Sequence, residues 1–153
     1  MTSKTDAKTI LLAGSAVVVN ELAMTASEAI LPGHLVERVS AGTLSKHSTA
    51  AGNATKSFAF ENESDGSGID EAYADGETVI FGTCPAGTKI NAILADSNTI
   101  AIGDFLESNG DGTLRALAAD AATDQDQRTS VIGQALEAVT TSGATARIEI
   151  EVV

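Results

Sequence analysis

Three stretches of the sequence bring reactive side chains near one another. Residues 82–89, GTCPAGTK, follow an apolar run and come close to a phosphate-binding loop. That chemistry needs lysine before a hydroxyl residue, so that the amine reaches the outer phosphates and the hydroxyl reaches magnesium. Here Thr88 precedes Lys89, and Pro85 removes one amide from the cradle. The stretch therefore reads as a strand ending in a Pro-Gly turn. Asp65-Gly-Ser-Gly-Ile-Asp70-Glu71 and Asn109-Gly-Asp111-Gly set oxygen ligands beside glycines, as calcium loops do. Neither has the spacing of a helix-loop-helix calcium site or of a nonapeptide calcium repeat, and solvated turns are expected.

The remaining reactive residues are scattered. His34 and His47 lack Cys or Glu neighbours at ligand spacing, so no metal centre is expected. Cys84 has no basic residue within four positions to stabilise a thiolate, and reads as a small buried thiol. Gly103-Asp104 before an apolar pair resembles biotinyl or lipoyl carrier hairpins, but the lysine those present at a hairpin tip is missing. No serine sits in a nucleophile elbow, and no acid pair lies in an apolar context. The expectation is a protein that is not an enzyme and uses no cofactor.

The elements that would position these residues are short strands. The chain has 153 residues, enough for one domain with a core. Aliphatic residues carry its hydrophobicity; aromatics make up 3%, and fourteen glycines punctuate the runs. This composition predicts an all-β fold, a compact β-barrel or β-sandwich-like domain of short strands and hairpins, with at most one or two short helices. Residues 100–115, IAIGDFLESNGDGTLR, read as a hairpin around a glycine-bearing turn. Shifted by 70 positions without a gap, residues 30–45, ILPGHLVERVSAGTLS, lie directly upon them. Ile30/Ile100, Gly33/Gly103, Glu37/Glu107, Gly42/Gly112, Thr43/Thr113 and Leu44/Leu114 are identical pairs, the mark of a supersecondary unit used twice.

Elsewhere, Lys56–Phe60 and Glu77–Gly82 read as strands, with Phe58 and Phe60 on one face. Residues 61–71 and 116–128 read as acidic surface loops. Thr25-x-x-Glu28 is a possible capping box before Pro32, giving a single helical turn or a loop. Ile90, Ile93 and Leu94 fit either a short helix or a strand. In RIEIEVV, Ile148, Ile150 and Val152 alternate with Arg147, Glu149 and Glu151, a strand with one buried and one wet face.

The N-terminal stretch is treated as an arm, residues 1–19, ahead of a single domain, residues 20–153. Its first nine residues are polar, and two β-prone runs follow. Thr9, Ile10, Leu11, Leu12, Val17, Val18 and Val19 are the candidate partner contacts, laid across a neighbour as an added strand. The alternative is that these runs are edge or core strands of the domain itself. Lysines before an apolar run imitate a signal peptide, but Gly14 and Ser15 interrupt it.

The net charge of −12 is uneven: residues 1–60 carry +1 and residues 61–153 carry −13. Such a surface repels phosphate backbones, so nucleic acid is not an expected partner. No apolar stretch reaches the roughly 20 residues of a membrane helix, and no membrane partner is expected. The single cysteine excludes an internal disulfide and fits assembly in a reducing compartment.

The order of segments ILPGHLVE, YADGETVIFG, PAGTKINAIL, IAIGDFLESNGDGTL and VIGQALEAV, closed by an alternating strand, resembles the capsid decoration, or cement, proteins of tailed bacteriophages. The resemblance covers residues 10–153. His34 departs from the acidic residue that follows the matching glycine at Asp104, and the 61–71 loop goes beyond the pattern. The resemblance implies a structural protein made in the host cytoplasm, placed on the outer surface of the phage head. It further implies binding to the major capsid protein and assembly as a homotrimer. A carbohydrate- or receptor-binding β-domain is the competing class, although such sites lean on exposed aromatics, which are few here.

Overall fold

In the computed structural model, residues 7–19, 24–40, 42–118 and 129–153 are described. Fourteen short strands occur among them; five close into a barrel, and most of the others form small sheets that repeat its plan in a looser ring.

The second barrel is the more regular. Its strands are β8 (Lys89–Leu94), β10 (Phe105–Ser108), β11 (Leu114–Ala116), β12 (Val131–Ala135) and β14 (Ala146–Val152). They pair in the order β8-β11-β10-β12-β14, and β14 returns to β8 over six residue pairs, closing the ring. Closure removes the sheet edge at that seam and satisfies the backbone of both strands. Ala92, Leu94, Leu106, Leu114, Ala135, Ile148 and Ile150 fill the interior. A short pair, β9 (Thr99–Ile100) with β13 (Val139–Thr140), accompanies it.

The first barrel repeats this plan in a looser form. Its strands are β2 (Val17–Val19), β3 (Thr25–Ala26), β4 (Val36–Ser40), β5 (Thr43–Lys46), β6 (Ser57–Ala59) and β7 (Phe81–Thr83). β3 pairs parallel with β5, as β8 does with β11. Single bridges, Leu35 with Phe58 and Thr25 with Thr78, complete the ring that continuous ladders make in the second barrel. The two hairpins agree in register: Val36 faces Lys46 and Arg38 faces Leu44, as Leu106 faces Ala116 and Ser108 faces Leu114. Gly33 and Gly103 share left-handed φ values of 96° and 92°, which glycine alone adopts without strain. Equivalence continues beyond the hairpins, through Ala26/Leu94, Ala59/Ala135, Val79/Ile148 and Phe81/Ile150, all interior pairs. The offset drifts from 68 to 76 between these pairs because the connecting loops differ in length.

β8 settles its own ambiguity as a strand. Every residue from Ile90 to Leu94 is buried, since one face lines the barrel and the other lies under the first barrel. An apolar run buried on both sides loses the period of two. The capping-box reading of Thr25 and Glu28 is overturned. Thr25 pairs with Thr43 and Thr78 in extended backbone, and the Glu28 carboxylate accepts the Lys46 amide. Phe58 and Phe60 do share a face, turned toward the second barrel's cluster, while Ala59 points into the first.

The N-terminal runs pair within the chain. β1 (Leu11–Ala13) adds to the start of β8, and Val17–Val19 pairs with β7, where β8 pairs with β14 in the second barrel. Ile10 is fully buried in the main core.

Two outcomes follow from this packing. Ile10→Ala should lower unfolding free energy by about 2–5 kcal/mol, the cost of truncating a fully buried aliphatic side chain, as read by urea denaturation. At Gly103 a Cβ meets nothing closer than 3.9 Å, so Gly103→Ala should cost only the backbone strain, about 1–3 kcal/mol. At Gly33 a Cβ would also meet the Asn91 carbonyl at 2.9 Å and the Arg147 guanidinium. Gly33→Ala should therefore cost clearly more than its counterpart, by the same measurement.

Candidate functional site

The residues with chemical potential divide into a buried group at the junction of the barrels and an exposed apolar group on the surface. At the junction, hairpin β4–β5 meets the turn of hairpin β10–β11. Leu35 N–H donates to Gly112 O (2.8 Å), Gly112 N–H to His47 O (3.1 Å), and His47 N–H to Leu35 O (2.9 Å). The His47 ring lies inside this knot. Its Nε2–H donates to Asn53 O (3.1 Å), and its Nδ1 accepts from the Ser108 hydroxyl (2.7 Å). Glu37 Oε2 stands 3.9 Å from Nε2. Ser, His and Glu in line have the composition of a hydrolytic triad. The geometry does not serve one: Ser108 is fully buried, and its oxygen also accepts the Gly110 amide (3.2 Å). Glu37 spends its other oxygen on the Ser48 amide and hydroxyl. The arrangement is a polar clasp between barrels.

His34 accounts for its departure from the acidic residue expected there. Its Nδ1 accepts the Leu31 amide (3.0 Å), as Asp104 Oδ2 accepts the Ala101 amide (2.8 Å) in the second barrel. Only an unprotonated Nδ1 can do so. Burial, with Lys46 nearby, pushes the His34 pKa down from 6.5 to about 4.

Glu107 is buried on the same hairpin position as Glu37, and the Arg115 guanidinium binds it at 2.9 Å. Arg147 ties the barrels from the opposite side, donating to Pro32 O (2.6 Å) and Ile69 O (2.5 Å) beside Asp70. Burial lowers its pKa, with Asp70 opposing that. Cys84 is buried, and desolvation pushes its thiol up to about 11. The two glycine-rich acidic turns bond to themselves. Asp65 accepts the Ser67 amide, and Asp111 accepts the Thr113 amide and hydroxyl, which outweigh its burial and hold its pKa low. Among the described residues no three His, Cys, Asp or Glu side chains are grouped to hold a metal.

The surface group has two parts. Val17 is 69% and Val18 54% exposed on β2, the outer strand of the β2-β7-β6 sheet. Beside it runs an open groove of about 380 Å³ walled by Leu11, Val18, Phe60 and Ile80, with Glu61 and Glu63 along its rim. Ile102 (71%) and Phe105 (46%) project from the bend at Gly103. Of the predicted contacts, Ile10 is interior, Leu11, Leu12 and Val19 are half-buried, and Thr9 bonds to Glu61. Val17 and Val18 alone among them are prominently outward. No local pattern marks Ile102 and Phe105 as exposed: they lie on the same echoed segment as Pro32 and Leu35, which are buried.

No protein-family profile matches the chain, and no curated protein matches it. Among solved structures, the N base of the head fiber gp8.5 of bacteriophage phi29 is similar, with a TM-score of 0.55 and 13% identity. The likeness covers 91% of this chain and 95% of that one. At this identity the shared property is the fold, a whole-length correspondence rather than a single common barrel.

The His34 bond has a pH signature. The unfolded chain takes up a proton near pH 6.5, and the native state does so only near 4. Stability is therefore complete above 6.5 and falls as pH drops through that window. The loss should approach roughly 3 kcal/mol. His34→Asn, which can still accept the Leu31 amide, should remove this share when the two proteins are compared by denaturation at several pH values.

Proposed function

We propose that this chain is a structural virion protein, without enzymatic activity, that binds the outer surface of an assembled phage head. There it links neighbouring major capsid subunits as a homotrimer. The observation that carries the reading is the whole-length fold likeness to the N base of a phage head fiber. The segment pattern resembling capsid decoration proteins supports the same reading. The buried clasp is consistent with that reading: the alignment of Ser108, His47 and Glu37 is closed to substrate and already engaged.

The edge of β2 is the proposed capsid contact. In the second barrel the matching edge, at Lys89 and Ile90, is covered by β1. On β2 no described strand takes that place, and Val17 and Val18 stay in solvent. An extended segment of the capsid protein added here would gain main-chain hydrogen bonds and bury both valines. The N-terminal part of the chain is close to neutral, so it can approach another protein with less repulsion than the acidic remainder.

Purified heads stripped of this protein should take it up again on co-sedimentation. Val17→Asp with Val18→Asp should weaken uptake by at least about tenfold, or ~1.4 kcal/mol, while leaving the circular dichroism spectrum unchanged. Binding to a glycan array with no uptake by heads would overturn the reading in favour of a carbohydrate-binding domain.

A further inference from the structure

One seam of the first barrel is held open by the clasp itself. In the second barrel the matching seam is the ladder of β10 with β12, running through Phe105/Gln134, Leu106/Gly133 and Glu107/Val131. In the first barrel the bridge of Leu35 with Phe58 answers the first of these pairs, and the ladder goes no further. Beyond that bridge β4 is the last strand of one sheet and β6 the last of another. The chain ahead of β6 is drawn away from β4, because the His47 ring holds the Asn53 carbonyl (3.1 Å). A tight bend, with Ser57 N–H donating to Thr55 O (2.6 Å), then leads into β6. Between β4 and residues 53–57 a cleft of about 280 Å³ remains.

The cleft has an apolar floor and polar walls. Val36, Leu44 and Phe81, interior residues of the first barrel, form the floor. Arg38 stands on the same side of β4 as Val36, and its guanidinium lies over the Phe81 ring, 5.5 Å from the centroid. The matching residue of the second barrel is Ser108, a small neutral side chain that the junction buries. Arg38 is exposed, and among the described residues no carboxylate pairs with it. Glu37 also lines the cleft, but its carboxylate is turned to the Ser48 amide and hydroxyl and toward His47. On the far wall the Ser57 and Thr83 hydroxyls share one hydrogen bond (2.9 Å). One of them donates and the other accepts, so the acceptor's own proton is left for a further oxygen.

We infer that this cleft receives an acidic side chain, Asp or Glu, from an extended segment of a partner protein. The guanidinium fork takes both carboxylate oxygens in parallel hydrogen bonds, and the Phe81 face already holds the fork in place. The spare hydroxyl proton of the Ser57–Thr83 pair supplies a further bond, and the aliphatic stem of the ligand rests on the apolar floor. Size favours a side chain over a free small molecule, whose sites run to roughly 300–1,000 Å³. The flanking edges of β4 and β6 favour it as well, since they offer backbone groups to an extended chain. Most of the lining comes from residues 1–60, the part of the chain that carries +1, where an acidic group meets the least repulsion. The inference stands apart from head binding and from self-association.

Nuclear magnetic resonance titration of the intact chain tests it, with four probes: a capped Val-Glu-Val tripeptide, its Val-Gln-Val twin, sodium acetate and inorganic phosphate. The glutamate peptide should shift the signals of Arg38, Ser57 and Thr83. It should bind at least about tenfold more tightly than the glutamine twin, the least expected of a hydrogen-bonded charge pair. Arg38→Gln should abolish the difference between the twins while leaving the circular dichroism spectrum unchanged. Arg38→Lys, which keeps the charge and loses the fork, should retain only part of it. Equal binding of the twins, or a preference that survives Arg38→Gln, would overturn the inference. Acetate or phosphate binding as tightly as the glutamate peptide would also overturn it, in favour of a free anion. Sedimentation with heads separates this claim from the capsid reading. A parent chain that binds the glutamate peptide and ignores heads removes only the capsid reading, whereas one that binds heads and shows no preference between the twins removes only this inference.

Discussion

Three backbone hydrogen bonds among Leu35, His47 and Gly112, with the His47 ring set between Ser108 and Asn53, hold the protein together at its middle. The first barrel needs this clasp. Two of its seams close through single bridges rather than continuous ladders. A ring with such seams has few ladder bonds to resist opening, so it draws order from its neighbour. Leu35, Phe58 and Phe60 leave its outer surface and join the core of the second barrel, which Ile10 also enters. Stability thus flows from the closed barrel to the open one.

The repeat explains why similar residues have different fates. Glu37 and Glu107 hold the same hairpin position. The first binds Ser48 at the surface, whereas the second is buried and neutralised by Arg115. His34 and Asp104 accept the same turn amide, one with an imidazole and the other with a carboxylate. An exposed bend tolerates a charge that solvent can screen. The covered bend is desolvated, and a neutral acceptor there avoids the cost of burying a charge. The two bends share a backbone, and their surroundings differ in the side chains they accept.

The proposed role asks little of chemistry and much of surface. The hydroxyl, thiol and imidazole groups of the junction and core are engaged in packing, and Cys84 is held as an unreactive thiol by burial. The net charge is strongly acidic, and the large apolar side chains exposed among the described residues lie at β2, at the Gly103 bend, and singly at Val39 and Val153. Like charge keeps such molecules apart in bulk, and a few well-placed apolar contacts then decide where they do meet.

The sequence by itself determined the local units. Alternation in RIEIEVV defines β14, with Ile148, Ile150 and Val152 buried, because a pleated strand sends successive side chains to opposite faces. The ungapped echo at 70 residues predicts two hairpins, and they match in register because glycine turns of the same length fix strand pairing. The larger repeat stayed hidden, since loops of unequal length shift Ala59/Ala135 and Phe81/Ile150 out of step. Tertiary structure alone decided that Val17–Val19 is a barrel strand pairing with β7, and that Ile90 to Leu94 is a strand covered on both faces. It alone decided that Leu35 is buried while Phe105 is bare. Burial is a property of what comes to lie on a residue from far along the chain, and no local pattern carries that information.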